Sequence, residues 1–239
     1  MGTFRSGQTP GDGFISRLSA NGKMLELRWV QGLENPKGLA LSKGHLFVGD
    51  DVYLTEIDVA TGRIIAQHKP AESDGDFNDC TADAEGNVYV CSGKLGTVFR
   101  LHDEKFEPWM KLDFSVTGWI NGLRAEKDRL LLGGWSVRRA DGSEQLGHLS
   151  TVDYRTKSIG RLGNQPICHI DGLEPDGKGG YLVSDWISGE VFHVSSDGKP
   201  ALIFKLSEGT ADFLYREDVH LLLIPLMNDH VVRAYGWTP

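Results

Sequence analysis

Five polar residues recur at nearly constant spacing along the chain: Lys37, Asp79, Asn121, Asp171 and Asp212. The intervals are 42, 42, 50 and 41 residues. Each stands just before a short apolar run, as in Ile120-Asn121-Gly122-Leu123 and Ile170-Asp171-Gly172-Leu173. Three carboxylates and an amide brought to one point make an oxygen-rich site. Such donors suit one hard divalent cation, with Ca²⁺ first and Mg²⁺, Mn²⁺ or Zn²⁺ as alternatives. Without a cation they repel one another, and a pKa rises. Asn78 adds an amide beside Asp79, and the Lys37 ammonium can neutralise the ring or meet an anionic substrate. Taken singly, Asp or Asn ahead of Gly is a turn residue that bonds its own backbone. It is the shared column that argues for a site.

The elements that position this column are strands. Helical periodicity is almost absent. Short alternating or β-branched runs recur instead, as at Thr55–Val59, Asn87–Val90 and Thr97–Leu101, separated by turns such as Ala60-Thr61-Gly62 and Ser196-Asp197-Gly198. The repeat carries four strands in about 42 residues, the mark of a propeller blade. The long interval holds a charged, Gly-containing insertion at residues 137–147, expected as a loop. The expected fold is therefore all-β, a β-propeller of six-bladed type with an incomplete first blade and a five-bladed closure as the alternative. Residues 1–12 are expected as a flexible tail and 13–239 as a single propeller domain.

Composition bounds the partners. The 239 residues carry 25 Lys and Arg against 33 Asp and Glu, a net charge of −8, with no basic run. That argues against nucleic acid and anionic membranes. No apolar stretch approaches the length of a spanning helix. Three cysteines cannot build a disulfide framework, and Cys80 and Cys91 are expected as buried thiols. No P-loop, dinucleotide fingerprint, GxSxG or HExxH is present. A small molecule is the expected partner. Free thiols and the lack of a visible signal lean toward the cytoplasm, with the periplasm as the alternative. Trp135 and Trp186 each follow a second strand and either wall a substrate pocket or pack between blades. His169, two residues before Asp171, is within reach of the same end.

The segments Phe77-Asn78-Asp79, Ile120-Asn121-Gly122-Leu123, Ile170-Asp171-Gly172-Leu173 and Asn228-Asp229-His230-Val231-Val232 resemble the senescence marker protein, gluconolactonase and regucalcin family. The resemblance runs from about Gly13 to Tyr235. It implies a divalent metal held by Asn121 and Asp171, with Asp171 as proton acceptor and Asn78 near substrate or metal-bound water. The substrate-side candidates are then Asn78, Asp79, Asp212, Lys37 and Trp135. The implied activity is metal-dependent hydrolysis of a sugar lactone or related cyclic ester. The family's metal-binding Glu on a first inner strand has no counterpart, and Asp76 stands where the family has Arg. The competing reading is a non-catalytic propeller that binds a small molecule or protein.

Overall fold

The structure, a computed structural model, describes residues 9–71 and 75–239. The expected tail at 1–12 lies largely outside the described residues. The chain forms two compact units, Met1–Lys111 and Leu112–Pro239.

In the first unit, β1 (Gly13–Leu18) and β2 (Met24–Leu33) make a two-stranded sheet. A four-stranded blade follows: β3 (Pro36–Ser42), β4 (His45–Asp50), β5 (Tyr53–Asp58) and β6 (Arg63–His68). The next is β7 (Phe77–Ala82), β8 (Val88–Ser92), β9 (Thr97–His102) and β10 (Lys105–Lys111). These two blades share a core of Phe47, Leu54, Phe77, Val90 and Phe99.

The second unit opens with the four-residue helix α1 (Phe114–Thr117), capped by the Asp113 carboxylate on Ser115 N. Its first blade is β11 (Trp119–Ala125), β12 (Arg129–Arg138), β14 (Leu149–Asp153) and β15 (Ile159–Leu162), with β13 (Glu144–Leu146) added to β12. The insertion expected as a loop is thus a hairpin extension, pairing Ser136 with Leu146 and Arg138 with Glu144. Val137 pairs with Gln145 between them, so the backbone groups find strand partners. The next blade is β16 (Ile170–Pro175), β17 (Tyr181–Asp185), β18 (Glu190–Val194) and β19 (Pro200–Lys205). The last is β20 (Leu214–Arg216), β21 (Leu221–Leu226) and β22 (Val231–Gly236). Residues 211–213, which carry Asp212, lie ahead of β20.

The fold is an all-β propeller of five blades. In three blades the second strand is buried on both faces: β8, β12 through Gly134 and β17 contain no exposed residue. Leu130, Leu131 and Leu132 are wholly enclosed, each worth roughly 1.5–3 kcal/mol of burial. Sequence alternation fades in such strands because neither side meets water.

Candidate functional site

The first strand of each four-stranded blade carries a β-bulge at the same place. Two residues of the first strand lie opposite one residue of the second between Pro36 and Leu39, Phe77 and Cys80, Ile120 and Leu123, and Ile170 and Leu173. Bulges re-aim side chains and end regular pairing. Here each re-aims one polar residue. This register equates Lys37, Asn78, Asn121 and Asp171. The second repeat therefore contributes Asn78 to the column, and Asp79 takes the position that is Gly elsewhere. Spacing alone cannot see this one-residue offset, because the extra residue sits inside the strand.

The glycine after Lys37, Asn121 and Asp171 has a physical cause. A Cβ on Gly38 would lie 2.5 Å from Asp79 Cα, one on Gly122 2.8 Å from the Asp171 carbonyl oxygen, and one on Gly172 2.5 Å from the Phe213 ring. The neighbouring blade's first strand passes too close for a side chain.

In the first unit, Lys37 Nζ donates to the Phe77 carbonyl at 3.2 Å and lies 3.9 Å from Asp51. Asp79 is buried and accepts from the adjacent Cys80 N–H at 2.7 Å. Asp79 thus has the turn role, and Lys37 is occupied by backbone and a carboxylate of its own unit. Cys80, Cys91 and Cys168 are buried free thiols, as expected for the first two.

The second unit gathers three of the candidates. Asn121 Nδ2 donates to Asp171 Oδ1. Burial, with the Asp212 charge added, pushes the Asp171 carboxyl up to about 7. Burial likewise pushes Asp212 up to about 6, against hydrogen bonds from the Phe213 and Leu173 N–H groups. Asp212 also fills a turn role, accepting from Phe213 N at 2.9 Å. Three residues further along the same two strands, Arg124 Nη1 meets Glu174 Oε2 at 2.9 Å. Burial raises Glu174 to about 7 despite Arg124. Arg124 and Glu174 escaped the sequence reading. Their signal was a charged residue at the same offset after two successive column members.

The donor set fits a hard divalent cation in kind: two carboxylates beside one amide, all able to present oxygen. It is short in number. Among the described residues, no group of three or more His, Cys, Asp or Glu is arranged to hold a metal ion.

Aromatic residues stand beside this polar group. The Trp119 and Trp135 rings meet edge to face at 6.2 Å and 88°. Trp135 also lies 5.4 Å from the His169 ring and 6.4 Å from Trp186. Trp119 precedes Asn121 by two residues on β11, and His169 precedes Asp171 by two. Trp119 and Trp135, with Phe114, wall an open cavity of about 420 Å³, whose rim carries Arg138 and Glu144. Trp119 and Phe114 were not foreseen. Phe114 opens, and Trp119 follows, a short helix that the strand repeat does not contain.

No family model matches the chain, and no curated protein matches it in sequence. Solved structures match its fold. The extracellular domain of a putative one component system from B. thetaiotaomicron is 12% identical with a TM-score of 0.64, over 95% of this chain and 33% of that one. The chain thus spans about a third of that protein's length. A luciferin-regenerating enzyme is 14% identical with a TM-score of 0.60, over 89% of this chain and 75% of that one. A streptogramin B lyase is 12% identical with a TM-score of 0.54, over 85% and 83%. The class defined by fold and site is a β-propeller with a half-buried carboxylate pair on neighbouring blades. Enzymes are among the propellers it resembles.

Proposed function

We propose that this propeller is a hydrolase of a lactone or related cyclic ester, with Asp171 as the proton-transfer group. The observation that carries the reading is the Asn121–Asp171–Asp212 grouping, in which burial raises both carboxyls to about 7 and 6 and the Asp212 charge adds to the rise at Asp171. A carboxylate with a pKa near the working pH both accepts and returns a proton efficiently. Water attacks the lactone carbonyl carbon and gives a proton to Asp171 as the new C–O bond forms. Collapse of the tetrahedral intermediate breaks the ring C–O bond, and Asp171 returns the proton to the leaving alkoxide. One water is consumed and one hydroxy acid released. A cyclic ester needs no serine nucleophile. Asn121 and Asp171, with Asp212 beside them, would hold the divalent cation, Ca²⁺ first among Mg²⁺, Mn²⁺ and Zn²⁺. When bound, such a cation polarises an ester carbonyl. Asn121 orients the Asp171 carboxylate through its amide.

The short donor count favours a second reading, a propeller that binds a small molecule without converting it. A panel of five- and six-membered lactones, assayed with chelator and then with each cation, separates the two. The hydrolase reading expects turnover by the native chain and a loss of about 10²–10⁴-fold in Asp171→Ala with the fold intact. No turnover with any cation leaves the binding reading.

A further inference from the structure

We infer that the corner made by Trp119 and Trp135 is a subsite for a flat aromatic ring, so that the ligand class is an aryl-fused lactone. The inference rests on the proposed hydrolase for the fate of the ester, but not for the binding of the ring. Two indoles at 88° offer one face to stack on and a second face to receive a ring edge. Offset-stacked and edge-to-face contacts are the geometries that aromatic pairs favour. The cavity of about 420 Å³ lies within the range of small-ligand pockets. Both indoles remain half-exposed, so apolar ring surface stays open to a ligand.

The walls are fixed in place. The α1 segment is tied down through the Val116 carbonyl, which accepts from Arg161 Nη2 at 3.3 Å and lies 3.0 Å from His148 Nε2. Thr117 Oγ1 donates to Asp113 at 3.2 Å. Gly118, at φ +74°, sits where a Cβ would lie 2.7 Å from the Ser136 carbonyl. This brings Phe114 and Trp119 against β12. The Ser115 hydroxyl is committed to Asp113 at 2.7 Å, and Ser136, Arg138 and Glu144 make the polar part of the lining. The walls are indole and phenyl. Trp119 shares β11 with Asn121, and Trp135 touches His169 beside Asp171.

The test uses 3,4-dihydroquinolin-2-one, the non-hydrolysable lactam counterpart of dihydrocoumarin, by titration calorimetry and tryptophan fluorescence on the full chain. The expected result is binding that weakens at least about tenfold in Trp135→Ala and is largely kept in Trp135→Phe. The ratio of dihydrocoumarin to δ-valerolactone hydrolysis should fall in parallel. The Phe variant keeps the test valid if Ala disturbs the fold. Absence of lactam binding, binding indifferent to Trp135 and Trp119, or tighter binding of a gluconolactam overturns the inference. Lactam binding with no hydrolysis of dihydrocoumarin upholds the subsite and removes the hydrolase reading alone.

Discussion

Arg124 meets Glu174 at 2.9 Å, three residues along the same two strands from the Asn121–Asp171 contact. The two first strands of neighbouring blades are thus joined by two polar links. One is neutral-to-acid and the other a charge pair. The second compensates a carboxylate that burial would otherwise protonate.

Removing one side of that pair should therefore cost more than removing both. Arg124→Leu leaves Glu174 buried without its cation, and the loss should be roughly 1–3 kcal/mol. The double variant Arg124→Leu, Glu174→Leu should recover part of it. A double-mutant cycle by urea denaturation measures the coupling. Additive effects would show that the pair is screened by water at the exposed guanidinium.

Gly122 tests the close approach of blades. Gly122→Ala places a Cβ 2.8 Å from the Asp171 carbonyl oxygen and should destabilise by about 1–3 kcal/mol. Gly236→Ala is the control, since a Cβ there meets nothing within 4 Å and its φ is ordinary. Equal melting temperatures for the two would refute the account of the Asn-Gly and Asp-Gly pairs.

The pH dependence has a defined sign. Asp171, Asp212 and Glu174 are raised to about 7, 6 and 7, chiefly by burial. The folded state then holds protons that the unfolded chain has released, so ∂ΔG/∂pH is negative across the interval. Their stabilising contribution is full below the unfolded carboxyl pKa of about 4 and is lost as pH rises through 6 to 7. In chelator, the melting temperature should fall between pH 5 and pH 7.5. Asp212→Asn should flatten that fall. A melting temperature that rises over this interval would contradict the raised carboxyls.

A cation should reverse the loss. If Asn121 and Asp171 hold one, a concentration of about 100 times Kd adds roughly 2.7 kcal/mol. For a chain of this size that is a rise of about 5–10 °C. Asp171→Ala should abolish the rise. No shift with Ca²⁺, Mg²⁺, Mn²⁺ or Zn²⁺ would leave the carboxyls to act alone.

The repeat of Asp, Asn and Gly ahead of short apolar runs was enough to determine an all-β propeller, because a four-strand unit recurring every 41 to 50 residues cannot bury its faces alone. Asn121 and Asp171 were legible for the same reason: side chains at one register position of successive blades are brought together by the repeat itself. The offset of Asn78 against Asp79 was not legible, since a bulge changes which residue turns inward without changing the spacing. The raised carboxyls depend on burial and on the distance between neighbouring strands, and neither is written in residue order. The aromatic corner needed the tertiary structure most. Trp119 and Trp135 lie 16 residues apart, and only the pairing of β11 with β12, with a short helix pinned by Arg161 behind them, sets their rings at right angles.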